Sequence, residues 1–181
     1  MEAVEGIHSA FYYYGIEHLI VNLYYYFSNY SPEGSTIYLS TGQELYDEIK
    51  DQLADHGLFE NVVNHYSINQ LIKKCGKNIE NLKEQIIEEE RINNNEGINW
   101  IVEVDYSIKN TSERLFLEWE EGLTEVFSET KSSMLCLYDF EDYINEQKYI
   151  DSRIIEKSFR THPYTLYQFS IEKTKKLQKI Y

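Results

Sequence analysis

Glycine-rich phosphate loops, paired cysteines and long apolar runs are all missing from this chain. Its 181 residues include two cysteines, two prolines and eight glycines. Cys75 and Cys136 form no spaced motif, and Cys136 lies in an apolar, strand-like segment where a cysteine is usually a small core residue, so no disulfide framework is expected. A P-loop needs the pattern G-x-x-x-x-G-K-[ST], whose amides cradle phosphates. The turn after the first predicted strand, Tyr14-Gly15-Ile16-Glu17-His18, has one glycine and an acid where a cation is required. G-x-G-x-x-G and the nucleophile elbow G-x-S-x-G are absent as well. Ser128-Glu129-Thr130-Lys131 and Ser170-Ile171-Glu172-Lys173 match S-x-x-K in form, but they lie in charged stretches without the companion motifs of that class. No apolar run approaches the ~18 residues needed to cross a bilayer, and no signal peptide is read at the start, so a cytoplasmic protein is expected.

What is present is acid, aromatic and evenly patterned. The 31 acidic against 17 basic residues give a net charge of −14. Such a chain repels phosphate backbones and anionic lipid, which argues against direct nucleic-acid or membrane binding and towards protein partners. Hydrophobic content of 42% and charged content of 27% are ordinary globular values, and the length fits one domain with a substantial core. Seventeen tyrosines include the runs Tyr12-Tyr13-Tyr14 and Tyr24-Tyr25-Tyr26. Tyrosine suits pocket walls and interfaces, with its large ring and single polar tip. An AT-rich genome that spends Tyr, Ile, Asn and Lys freely would produce the same count.

Strand and helix patterns alternate. A first strand is predicted over Ser9–Tyr14, then a helix carrying Ile16, Leu19, Ile20, Leu23 and Phe27. Pro32-Glu33-Gly34 reads as a turn and Thr36–Ser40 as a strand. Thr41 is positioned to cap a helix bearing Leu45, Ile49 and Leu53, which stops near Gly57. A third strand is read over Asn61–Tyr66. A connection over Ser67–Asn78 follows, with a helical turn near Ile68–Lys73. Next comes an acidic helix with Ile79, Leu82, Ile86 and Ile87, broken at Asn93-Asn94-Asn95. Ile98–Ser107 alternates as a strand. Thr111 or Ser112 opens a helix with Leu115, Trp119, Leu123 and Val126. Met134–Tyr138 is a strand, Ile150–Arg160 a helix and Tyr164–Phe169 a last strand. The pattern implies an α/β fold, a mainly parallel central sheet with helices on both faces. Residues 1–172 form one domain on this reading, and 173–181 a basic tail.

Parallel sheets bind ligands at the carboxyl ends of their strands. Asp105 and Asp139 fall at such ends, although a strand-end acid can equally cap the next helix. Among the five histidines (His8, His18, His56, His65, His162) no metal-site spacing occurs, and no metal or cofactor is assigned. His56 beside Gly57 suits a helix C-terminus, where a cation favours the dipole. His8 and His162 stand beside predicted strands, where a histidine is more often a hydrogen-bonded structural residue than a ligand.

Several of these residues fall in a pattern that resembles the MEDS family, the sensory domain named for methanogen and methylotroph regulators. The strand His8-Ser9-Ala10-Phe11-Tyr12-Tyr13-Tyr14, with Glu17 in the following helix, is similar to that family's opening. Trp119-Glu120 through Phe127 is similar to its aromatic-bounded helix, and Leu135-Cys136-Leu137-Tyr138-Asp139 to its leucine-cysteine-x-tyrosine-aspartate strand. His162-Pro163 matches its closing pair. Leu137 stands where the family usually has a polar residue, often glutamine, and the region before Asp105 is poorly matched. The resemblance implies a degenerate RecA-like domain without a P-loop (Walker A) motif. It also implies a sensor of small molecules, hydrocarbon derivatives among them, that works with DNA-binding or histidine-kinase modules.

The expected function is a non-catalytic sensory domain of bacterial signalling. A ligand pocket would be bounded by Tyr14, Asp105 and Asp139, with His8, Tyr12, Glu120, Tyr138 and His162 nearby. A histidine kinase or transcription regulator is the expected partner, and a homodimer is open. The alternative is a protein-interaction module that sequesters a kinase or transcription factor through the acidic helix Glu80–Glu90, a run that also reads as a solvated face. A third reading is an enzyme using nucleotide or metal through residues no motif reveals.

Overall fold

A computed structural model describes residues 5–30, 36–57, 63–76, 78–94 and 96–174. The elements run β1 (His8–Tyr13), α1 (Ile16–Tyr30), β2 (Thr36–Ser40), α2 (Gln43–Ala54), β3 (Val63–His65), α3 (Ile68–Cys75), α4 (Ile79–Ile92), β4 (Ile98–Glu103), α5 (Val104–Asn110), α6 (Glu113–Ser128), β5 (Ser133–Asp139), α7 (Phe140–Asn145), α8 (Ser152–Thr161), β6 (Tyr164–Tyr167) and β7 (Ser170–Lys173). One sheet has the order β3-β2-β4-β5-β1-β6-β7. Every pairing is parallel except that of β6 with β7. The expected α/β architecture, a mainly parallel sheet covered on both faces, is what the chain adopts.

The connection out of β1 crosses the sheet in one direction and those out of β3, β4 and β5 return in the other. Crossovers of one hand must then put helices on opposite faces. α1 and α2 pack with Phe11, Tyr13, Leu39, Leu135 and Leu137 on one side. α3, α4, α5, α6 and α8 pack with Ala10, Tyr38, Trp100, Cys136 and Tyr138 on the other. β1 and β5, which are neighbours, therefore send their chains to opposite faces, and a crevice opens between their C-terminal ends. The centre of the sheet is buried on both sides, so β4 and β5 read as near-continuous apolar runs rather than clean alternations.

Local chemistry sets most element ends. Ser112 caps α6 by accepting from the Leu115 amide, and Asp139 caps α7 by accepting from Glu141 and Asp142. Thr41 does not cap α2. Gly42 holds that position, and the buried Thr41 hydroxyl donates to its carbonyl instead.

The strand read over Ile98–Ser107 ends at Glu103, its last partner being Leu137. Asp105 is consequently in the first turn of α5, not at a strand end. An apolar run cannot by itself separate a strand end from a helix start. The last strand is a hairpin, because Gln168 (φ 45°) and Phe169 (φ 69°) turn the chain back into β7. Neither is the glycine or asparagine that usually marks such a turn. Lys173, expected at the head of a tail, is the last residue of β7. Pro32-Glu33-Gly34, Asn61-Val62, Asn95 and residues 175–181 lie outside the described residues.

Candidate functional site

The eight residues singled out in the sequence are spread over three regions. The first is buried beneath α6 and α8, near the start of β1. Its side chains come from β1 (His8), β5 (Cys136), α6 (Glu120) and the C-terminus of α8 (His162), and all four are at most 1% exposed. Strand pairing aligns Ala10 with Cys136, so alternation turns His8 and Cys136 towards the same face. Glu120 follows Trp119 on the buried stripe of α6 formed by Phe116, Trp119, Leu123 and Phe127. A carboxylate in that stripe is out of pattern for a core helix. Pro163 ends α8 and pushes the preceding His162 into extended backbone (φ −96°, ψ 111°), which folds its ring back under the helix.

Hydrogen bonds fix the roles within this cluster. The Thr124 hydroxyl donates to the Thr161 carbonyl at 2.6 Å, so it accepts from His8 Nδ1 at 2.9 Å. His8 Nε2 then carries a lone pair, with Cys136 Sγ at 3.5 Å and Glu120 Oε1 at 3.9 Å. Thr161 Oγ1 donates to Glu120 Oε2 at 2.8 Å. His162 Nδ1 donates to the Ser158 carbonyl at 3.0 Å, and His162 Nε2 is buried with no partner among the described residues. Burial, with His162 beside it, holds His8 well below the usual histidine range. Burial also lowers His162, against the pull of Glu120. The Cys136 thiol is pushed well up by burial and by the neighbouring Glu120. A thiol 3.5 Å from an imidazole is nucleophile-and-base geometry, but no substrate reaches a pair this buried.

The second region is the C-terminal edge of the sheet, roughly 16 Å further along β1 at ~3.3 Å per residue. Asp105, Asp139, Glu141 and Asp142 line a cavity of about 380 Å³ there. Carboxylate oxygens of Glu17 and Glu141 also approach the Gly15 turn, the place where a phosphate would need cations. Asp139 acts as the α7 cap, as one of its two sequence readings expected, and also lines this cavity. Behind it Glu103, missed in the sequence, accepts from the Gly42 amide at 2.9 Å. Burial and the nearby Asp105 push Glu103 up to about 8, and burial pushes Asp105 up to about 6.

Beside this acidic edge a third feature opens. Phe11, Tyr12, Val21, Phe140, Leu166 and Phe169 are among the walls of a cleft of about 440 Å³ over the ends of β1 and β6. Its rim carries large apolar groups left in solvent, Val21, Tyr167 and Phe169, with the exposed Tyr25 against Phe169. Tyr12 connects the cleft with the buried cluster through a 2.6 Å hydrogen bond to Ser158 on α8. Tyr138 lies behind Tyr12 with its ring tilted, at 5.3 Å between ring centroids. Tyr14, expected in a pocket wall, is 55% exposed and contributes only its amide, to His18.

A family model described as "MEthanogen/methylotroph, DcmR Sensory domain" matches residues 7–163. The chain belongs to the MEDS family. The match runs from the residue before His8 to the residue after His162, so it takes in both ends of the buried cluster. No curated protein matches this MEDS chain. Among solved structures it is similar to NeqB, an ATP synthase subunit of Nanoarcheaum equitans, with 10% identity and a TM-score of 0.49 over 92% of this chain and 46% of that one. This chain thus spans about half the length of that subunit. Among the described residues no helix is long and apolar enough to cross a membrane.

Of the cluster's members, His8 and His162 were visible as histidines beside predicted strands, and Glu120 through the family resemblance alone. Cys136 was not, because a cysteine in an apolar strand carries no signal of its own. Thr124, Ser158 and Thr161 were missed because hydroxyls at helical positions are common on any surface.

Proposed function

We propose that this MEDS domain is a non-catalytic sensor that takes a small apolar molecule in the cleft over β1 and β6, and reports its occupancy to a protein partner. The observation that carries the reading is the cleft. It is walled mostly by aromatic and aliphatic side chains, with His18, Asn22, Thr165 and Gln168 between them, in a chain of net charge −14, and it lies at the sheet edge where ligands bind. Its hairpin wall holds Gln168 and Phe169 at positive φ, a conformation that costs bulky residues of order 1 kcal/mol or more and that concentrates at ligand sites. The acids around Gly15 favour a neutral occupant over a phosphate. A filled cleft would favour one setting of Tyr12 and Phe140, and Tyr12 would bias α8 through Ser158. A histidine kinase or transcription regulator with a basic docking face suits the acidic surface of this chain as partner.

Thermal denaturation with small apolar probes such as indole, hexanol and benzene tests this. A probe at 20 times its Kd should stabilise the chain by about 2 kcal/mol, raising Tm by roughly 4–8 °C. Val21→Glu places a charge on the cleft rim at a position 47% exposed, where it leaves the fold intact. It should abolish the shift. If no probe moves Tm, or if Val21→Glu responds like the wild type, the cleft is not a binding site, and docking of a protein partner without a small ligand becomes the better reading.

A further inference from the structure

We propose that His8, Cys136, Glu120 and His162 form a closed site for one divalent transition-metal ion, with zinc the best match to the donor set. Whatever occupies the aromatic cleft, this proposal stands on the buried cluster alone. The ligand atoms of the four side chains lie within 4.8 Å of one another. A tetrahedral ion with bonds of 2.0–2.3 Å holds its donors roughly 3.3–3.8 Å apart. Cys136 Sγ to His8 Nε2 is already 3.5 Å, His8 Nε2 to Glu120 Oε1 is 3.9 Å and Cys136 Sγ to Glu120 Oε1 is 3.9 Å. A contraction of a few tenths of an ångström brings these three donors onto one ion, with a His162 ring nitrogen within 4.8 Å of them as the fourth.

The surrounding hydrogen bonds are those of a metal site. Each imidazole has its Nδ1–H committed to an oxygen, Thr124 Oγ1 for His8 and the Ser158 carbonyl for His162. Each therefore keeps an Nε2 lone pair, the form that binds metal, and an orienting partner on the other nitrogen. Thr161 likewise steadies Glu120 through Oε2, while Oε1 faces the cysteine. Among the described residues His162 Nε2 has no hydrogen-bond partner, and a bare buried acceptor is costly without one.

Nitrogen, sulfur and one carboxylate select a borderline ion such as Zn2+ over Mg2+ or Ca2+, which prefer oxygen. Four protein donors leave no open position, so the ion clamps β1, β5, α6 and the end of α8 together and has no catalytic role. On binding, the Cys136 sulfur gives up its proton to solvent and takes the metal in its place.

The full chain, stripped with a chelator and returned to buffer, is titrated with Co2+ and then with Zn2+. One Co2+ per chain should bind, giving a thiolate-to-cobalt charge-transfer band in the near ultraviolet and tetrahedral bands in the visible, and Zn2+ should displace it. Cys136→Ser should lose the charge-transfer band, whereas Cys75→Ser should keep it. Thr124→Val, which removes only the partner of His8 Nδ1, should keep the bands and weaken binding about 10–100-fold. Should Cys136→Ser fail to fold, as near-ultraviolet circular dichroism would show, the wild type and Cys75→Ser decide the matter. A chain that binds neither ion, or whose cobalt band disappears in Cys75→Ser, overturns the proposal.

Discussion

Replacing Glu103 by glutamine is expected to stabilise the protein at pH 8 by on the order of a few kcal/mol, and to change its stability little at pH 4. Glu103 is 9% exposed and is faced by Asp105 from α5 and Asp139 at the end of β5, with the Gly42 amide at the start of α2 as the opposing favourable contact. Its carboxyl is raised from 4.5 to about 8 and that of Asp105 from 3.8 to about 6, burial being the largest cause in each. A raised carboxyl means that the native chain holds protons which the unfolded chain releases. The penalty is absent below the unfolded value, grows as pH rises and is complete above the folded value. For these two groups the window runs from about pH 4 to pH 8. Glutamine keeps the oxygen that Gly42 needs and removes the charge.

In the metal-free chain the two buried histidines act in the opposite sense. Their folded values are lowered, so their contribution is present above the unfolded value near 6.5 and is lost as pH falls through it. Wild-type stability should therefore fall off on both sides of a mildly acid optimum. Urea denaturation at pH 4, 6 and 8 reads this directly. A Glu103→Gln chain no more stable than wild type at pH 8 would show that Glu103 is ionised there without penalty.

The order of strands and helices was legible because each element keeps one period. β2 coincides with its sequence reading at both ends, and α6 opens at Ser112, one of the two residues named for it. What could not be read are the places where the chain turns without a turn residue. Val104 continues the alternation of β4 but begins α5, because Glu103 has the last ladder partner. Phe169 looks like strand and is a hairpin corner. The site was legible residue by residue and not as an assembly. His8 and Cys136 are 128 residues apart, and nothing in their local spacing places them 3.5 Å from each other. Parallel pairing of β1 with β5 does so, and that pairing is a property of topology. The expectation of a single pocket at the strand ends failed for the same reason: His8 begins β1 whereas Asp139 ends β5, so the two mark opposite ends of adjoining strands.

Gly97→Ala is expected to cost about 3 kcal/mol or more, through overpacking against backbone that has nowhere to move. A methyl group at Gly97 would stand 2.3 Å from the Lys131 carbonyl oxygen and 2.8 Å from its carbon. That turn is held from the other side. Glu90, on the buried face of α4, accepts from the amides of Lys131 and Ser132 and from the Ser132 hydroxyl, all through Oε1. The Ser132 hydroxyl in turn accepts from the Ile98 amide at 3.1 Å. The glycine and the glutamate therefore fix one junction, where β4 and β5 enter the sheet beside His8. Glu90→Ala strands these buried donors, at about 1–3 kcal/mol each, whereas Glu90→Gln keeps the accepting oxygen and should lose much less. Because both changes loosen the same turn, Gly97→Ala combined with Glu90→Ala should cost less than the sum of the two alone, by about 0.5–3 kcal/mol. Additive losses in denaturant unfolding would mean that the two contacts are independent. Coupled losses would identify this end of the sheet as the rigid base from which His8 and Cys136 are aimed, with the strained hairpin and crowded carboxyls at the opposite end left free to respond.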